Sequence, residues 1–195
     1  PGHDRKTALF VHDRGGPSPM SDRADALDSR GVLLPEGERI ELKGLLTRIA
    51  AELTPVVRQG ALPEGVQLTI TERGLLIRLA DVKFFDAGGA MLRPEALPAL
   101  DAIGARIRET GRSVKVQGHS DNMTLGRGST YATNWELAAT RAVSVVRYFH
   151  EATKIPPEKL TVSTFGQYRP IADNKSPAGR ARNRRIDILV EARPD

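Results

Sequence analysis

Between residues 66 and 190 the spacing of apolar side chains switches repeatedly between two periods, and this alternation restricts the chain to folds that lay helices on a sheet. Val66, Leu68 and Ile70 alternate with polar neighbours, as do Leu75, Ile77 and Leu79 beyond a turn signal at Thr71 to Gly74, which predicts a β-hairpin with one buried face. Pro94 to Glu109 puts Leu97, Leu100, Ile103 and Ile107 on one helical stripe, with Pro in the first turn and Gly111 as the stop. A short strand on Val114 and Val116 runs into Gly118-His119-Ser120-Asp121. Thr133 and Glu136 form a capping box that starts a helix reaching about Glu151, with Trp135, Ala138, Ala142, Val145 and Phe149 as its core stripe. Lys159 to Phe165 and Arg184 to Val190 read as strands, separated by a long loop from Gly166 to Asn183. The expected class is α/β, in the form of an α+β two-layer sandwich with helices on one sheet face.

Ahead of this region the pattern changes. Residues 1–35, with Gly15-Gly16-Pro17-Ser18-Pro19, read as a poorly ordered linker. Residues 36–60 read as an amphipathic helix: Leu42, Leu45, Leu46, Ile49, Leu53 and Val56 recur at helical spacing, and Pro55 bends or ends the run. Residues 61–195 form the expected globular domain, so 195 residues accommodate one core and one extension.

Net charge of +5 and a pI near 9.8 favour an anionic partner. Nucleic acid is not expected, because aromatic content is 5% and no basic stretch is interleaved with aromatics for base stacking. The absence of cysteine excludes disulfides, thiolate metal sites and cysteine nucleophiles. The four histidines, at 3, 12, 119 and 150, lack ligand spacing, so neither metal nor cofactor is expected. No apolar run approaches the ~20 residues that cross a bilayer, and a chain working outside the cytoplasm is expected to have its membrane anchor beyond this sequence.

The chemistry concentrates at the end of the 114–121 strand and on the following helix. On a helical wheel Arg141 lies roughly 20° from Asn134 and both lie about 90° from the apolar stripe, which places Arg141 at the rim of the helix–sheet interface. Asp121 and Arg141 can pair with each other and tie loop to helix, or they can receive a zwitterion, Asp121 taking an ammonium and Arg141 a carboxylate. His119, Ser120 and Asp121 are the residue types of a hydrolase triad, but as chain neighbours they cannot form its relay; His119 is expected to be a satisfied strand-end residue, and no catalytic residue is expected. Arg180, Arg182, Arg184 and Arg185 could be a nucleic-acid patch, a binding rim or a solvated run, and solvated charge is the base expectation.

The blocks GHSDN (118–122), YATNWELAATRAVSVVRYF (131–149), FGQYRPIADN (165–174) and GRARNRRIDILV (179–190) together resemble the OmpA-like peptidoglycan-binding domain over about residues 66–192. The resemblance implies a β-α-β-α-β-β domain, here with an N-terminal amphipathic helix, that binds peptidoglycan non-covalently at the diaminopimelate of the stem peptide through Asp121 and Arg141. Ser120, Asn134, Leu137, Phe85, Asp86 and Ala87 are the implied companions, and Arg180, Asn183 and Arg184 the implied loop-ordering residues beside the cleft. Ala139 stands where the family pattern has Ser, and Met123-Thr124-Leu125 replaces its Gly-rich continuation.

Within the family, Asn134-Trp135-Glu136-Leu137 and Phe85-x-x-Gly88-x-Ala90-x-Leu92 resemble the flagellar stator proteins of the MotB type. That implies a non-enzymatic periplasmic wall anchor, a homodimer, a MotA-like channel subunit as partner, an inner-membrane helix outside this sequence, and a role for residues 36–58 in regulating anchoring. The rival within the same binding class is an outer-membrane or lipoprotein anchor of the OmpA or Pal kind, or a secretion-system wall anchor. Trp135 is expected to pack in the core and not to serve as a sugar platform.

Overall fold

Alternating apolar residues need a sheet to bury one face, and in the computed structural model they find it. The structure describes residues 65–192 apart from Glu72, together with Gly37, Ile40, Lys43, Gly44, Thr47, Arg48 and Ala51. Strands β1 (Val66–Thr71) and β2 (Gly74–Ala80) form the predicted hairpin in the register Val66↔Leu79, Leu68↔Ile77 and Ile70↔Leu75. A one-turn helix α1 (Asp81–Phe84) and a 3₁₀ turn at Pro94–Ala96 lead into α2 (Leu97–Thr110). Then follow β3 (Val114–His119), α3 (Asn134–Glu151), a 3₁₀ turn at Pro157–Lys159, β4 (Leu160–Gly166), α4 (Pro177–Asn183) and β5 (Arg185–Glu191).

The sheet order is β1-β2-β5-β3-β4, with β3 and β4 parallel and the other neighbours antiparallel. From β2 onward the major elements are those of the expected β-α-β-α-β-β sandwich, with β1 added at the edge. The last strand enters the middle of the sheet. Ile186, Ile188 and Val190 join Leu75, Ile77, Leu79, Val114 and Val116 beneath Leu100, Ile103 and Ile107 of α2 and Ala142, Val145 and Phe149 of α3. Burying each such Leu, Ile, Val or Phe side chain contributes roughly 1.5–3 kcal/mol relative to exposure. The alternate residues of β5, Arg185, Asp187 and Leu189, are buried as well.

Two local features position α3. Thr133 caps it, its hydroxyl accepting from Glu136 N at 3.2 Å while the Glu136 carboxylate accepts from Ala132 N at 2.9 Å. Gly118 lets it approach: a Cβ there would stand 2.0 Å from the Ala138 carbonyl oxygen, so no side chain fits where α3 crosses the end of β3.

The structure corrects two expectations about the elements and adds one short helix. Residues 166–183 are not loop throughout, because Ser176 caps α4 by accepting from Gly179 N at 3.0 Å and Pro177 opens the helix. Trp135 is not in the core stripe: it is 43% exposed, and the buried positions of α3 are Leu137, Ala138, Arg141, Ala142, Val145 and Phe149. One turn of helix, α1, was too short to leave a period in the sequence. The 1–35 linker and the stripe Leu42, Leu45, Leu46, Ile49, Leu53 and Val56 lie outside the described residues. The described positions from Gly37 to Ala51 are helical and exposed. Among the described residues no helix is long and apolar enough to cross a membrane.

Candidate ligand-binding site

Arg141 leaves α3 on its buried side and is 3% exposed. Its Nε donates to Gly89 O at 2.7 Å, an Nη2 hydrogen reaches Asp86 O at 3.3 Å, and the guanidinium carbon lies 5.3 Å from the centre of the Phe85 ring. The helix thereby holds the segment 85–90, which Ser144 also ties by donating to Ala90 O at 2.7 Å. The third direction of the fork is taken by an acid that sequence reasoning missed: Arg141 Nη1 is 2.8 Å from Asp81 Oδ1. Beyond that ion pair, Asp81 Oδ1 has no partner among the described residues, although it is buried. Burial pushes Asp81 up to about 6, against the opposing charges of Arg141 and Arg184, and burial also lowers the Arg141 pKa against the pull of Asp81.

Asp121 sits just past the end of β3. Its Oδ2 accepts from Arg184 Nη1 in a short ion pair, and its Oδ1 accepts from Met123 N at 3.0 Å, shaping the loop into an Asx turn. Asn134 closes the loop against the helix, with Nδ2 at 2.9 Å from Met123 O, 3.2 Å from Gln167 Oε1 and 3.4 Å from Asp121 O. The Asp121–Arg141 pair considered from the sequence does not form. Each takes another partner: Arg184 for Asp121 and Asp81 for Arg141. The two pairs still feel one another, since Asp121 and Arg184 both contribute to the electrostatics of Asp81 and of Arg141. Two acids and two arginines thus share one site, held together by the Asp81 N–H to Arg184 O bond at 3.2 Å.

The remaining expected residues fall into three groups. Ser120 is buried and its hydroxyl has no hydrogen-bond partner among the described residues, while its N–H is held by Gly166 O at 2.9 Å. Phe85 and Leu137 are buried, whereas the side chains of Asp86 and Ala87 are exposed, so Asp86 reaches Arg141 through its carbonyl only. Asn183 and Arg180 hold the 169–175 loop: Asn183 accepts from Ile171 N and Ala172 N and donates to Ala172 O and Asn174 Oδ1, and Arg180 donates to Asn174 O and Lys175 O.

His119 departs from the satisfied role expected of it. It is buried and stacked on Phe165 with centroids 5.3 Å apart, neither ring nitrogen makes a hydrogen bond, and Asp187 is 3.7 Å from Nε2. Burial and the charge of Arg185 lower its pKa to about 4. His119 and Ser120 are not bonded to each other and form no relay between them. No group of three potential ligand side chains gathers at a metal position among the described residues.

Residues 84–184 match the OmpA family. This chain belongs to the OmpA family. Among relatives, it is 30% identical over 146 residues to Motility protein B of Bacillus subtilis, covering 74% of this chain and 56% of that protein. In the solved structures, a MotB-like protein from Desulfovibrio vulgaris superposes with a TM-score of 0.72 at 25% identity, covering 80% of this chain and 97% of that one. The cell wall anchor of the type VI secretion system from Pseudomonas aeruginosa superposes at 0.66 with 28% identity, covering 74% and 97%. The OmpA-family domain is thus similar to proteins of the MotB type and also to a secretion-system wall anchor. The chain spans about half the length of the curated relatives it matches first.

Proposed function

We propose that this OmpA-family domain binds peptidoglycan non-covalently at the diaminopimelate of the stem peptide and so anchors a flagellar stator to the cell wall. The observation that carries the reading is the four-charge site, where the buried Asp81 carboxylate has Arg141 alone against its Oδ1 and the buried Ser120 hydroxyl has no hydrogen-bond partner among the described residues, next to Asp121 and Arg184. A buried polar atom left unpaired costs free energy that a ligand donor recovers. A ligand carrying an ammonium and a carboxylate fits this charge pattern: Asp81 and Asp121 receive the ammonium, and the buried Arg141 together with the partly exposed Arg184 receives the carboxylate. The domain acts by binding and not by catalysis, and it needs no cofactor.

The finer reading follows the MotB likeness. The domain works in the periplasm as a homodimer, tethered to the inner membrane and paired there with a MotA-like channel subunit. The type VI anchor, at 28% identity, supports a secretion-system anchor as the second reading, with the same wall-binding site. The segment 36–58, whose sequence has the period of an amphipathic helix, regulates anchoring by exchanging the surface on which its apolar residues rest. Pinning that helix to the domain with an engineered disulfide in the full-length stator should stop motility when oxidised and restore it on reduction; normal rotation of the pinned, assembled stator would show the helix to be a static spacer.

The wall-binding reading is tested by co-sedimentation with purified sacculi. Asp121→Ala and Arg141→Ala should each remove binding, because truncating one partner of a desolvated charge pair costs ~2–5 kcal/mol, while circular dichroism reports an intact fold. Folded variants that sediment as well as the parent would overturn the site assignment.

A further inference from the structure

Trp135 is the one tryptophan in the chain and it is not packed away. The indole is 43% exposed and pairs with Tyr168, itself 66% exposed, at a centroid distance of 5.7 Å and a tilt of 37°. The loop after β4 is built around it. Gly166 adopts φ +49°, and a Cβ at that position would stand 3.2 Å from indole Cδ1 and 3.3 Å from Cγ and Nε1, so the backbone backs one side of the indole where a side chain would push it away. Two large aromatics fixed side by side at the surface, their planes tilted to one another, form an apolar ledge with polar edges.

The ledge is continuous with the charged site. Asn134, the neighbour of Trp135, bonds Gln167, the neighbour of Tyr168, and the same Nδ2 lies 3.4 Å from Asp121 O. One amide therefore fixes the ledge and the Asp121 loop relative to each other. In peptidoglycan the stem peptide is covalently joined to a glycan of N-acetylated hexosamines, and a third residue of an extended peptide ends at most about 10 Å from its attachment point. A stem peptide seated at Asp121 brings its own sugar chain to this neighbourhood. Pyranose rings present C–H faces that stack on indole and phenol, and their acetamido and hydroxyl groups suit the polar edges.

We propose that Trp135 and Tyr168 form a glycan subsite, on which an N-acetylhexosamine of the strand stacks while its stem peptide occupies the charged site. This rests on the wall-binding reading above and adds a second contact to it.

Because Trp135 is the sole tryptophan, its emission reads the subsite directly. Peptide-free glycan strands, stripped from sacculi by an amidase, should quench or shift that emission in a saturable way in the parent domain. Trp135→Ala and, independently, Tyr168→Ala should bind intact sacculi about ten-fold less tightly while binding a free diaminopimelate-containing tripeptide as the parent does. If peptide-free glycan leaves the emission unchanged, or if both folded variants bind sacculi as the parent does, the subsite is refuted. A change of oligomeric state on Trp135→Ala in analytical ultracentrifugation, without loss of glycan affinity, would likewise refute it and mark the ledge as a protein contact. Loss of sacculus binding in Trp135→Ala but not in Asp121→Ala would uphold the subsite and overturn the peptide site.

Discussion

Asp187, midway along the central strand β5, and Asp81, at the end of β2, are both buried aspartates facing arginine, yet their surroundings treat them in opposite ways. Asp187 receives Arg78 through two bonds, at 2.8 and 3.2 Å, and Arg185 through a third at 3.0 Å. Burial alone would raise its pKa, but these donors and charges outweigh burial and hold it below the usual carboxylate value. Asp81 has a single guanidinium, that of Arg141, against Oδ1 and no second donor among the described residues, and burial prevails, taking it up to about 6. The first arrangement is finished without a ligand. The second leaves a carboxylate short of donors in a site that also holds an unbonded Ser120 hydroxyl, and that contrast separates a structural charge cluster from a receptive one.

The contrast can be broken first on stability. Asp187→Ala strands the buried Arg185 guanidinium and deprives Arg78, and should cost ~3–5 kcal/mol in urea unfolding. Asp121→Ala leaves an Arg184 that is partly exposed and can resolvate, so its cost should be nearer ~1 kcal/mol although it removes wall binding. Equal losses in the two variants would erase the distinction.

Acid unfolding gives the next effect. His119 has its folded pKa lowered to about 4 from 6.5, so its contribution is complete above pH 6.5 and is lost as the pH falls through about 4, on the order of 3 kcal/mol in all. Asp81 has the opposite sign: its folded pKa is raised, so its contribution is full below the ordinary value of 3.8 and is lost as the pH rises through about 6. His119→Phe should therefore flatten the loss of melting temperature between pH 7 and pH 4. An unchanged acid limb would mean that His119 is protonated in the folded protein.

The sequence made the hairpin, both long helices and the capped start of α3 legible because each repeats its period for several turns or pairs. It hid α1, a single turn, and α4, whose Ser176-Pro177 start was the available signal. The partners of Asp121 and Arg141 were hidden for a different reason. Periodicity gives elements but not sheet order, and only the insertion of β5 beside β2, with Ala80 opposite Arg185, brings Asp81 to Arg184 and both to the site. Trp135 misled because its place near the apolar stripe could not reveal that Gly166 opens the adjoining loop. The blocks carrying Asp121, Asn134 and Arg141 did indicate that these three gather at one place.

The central claim, that the unfinished charge site is the ligand site, is tested most directly by a carboxyl-carbon NMR titration of the aspartates. Asp81 should titrate near pH 6 in the free domain. Adding a soluble diaminopimelate-containing muropeptide should lower that pKa and shift the Asp121 signal, because the ligand ammonium stabilises both carboxylates, while Asp187 stays in place. A saturating muropeptide that leaves Asp81 and Asp121 unmoved, or moves Asp187 instead, would contradict it.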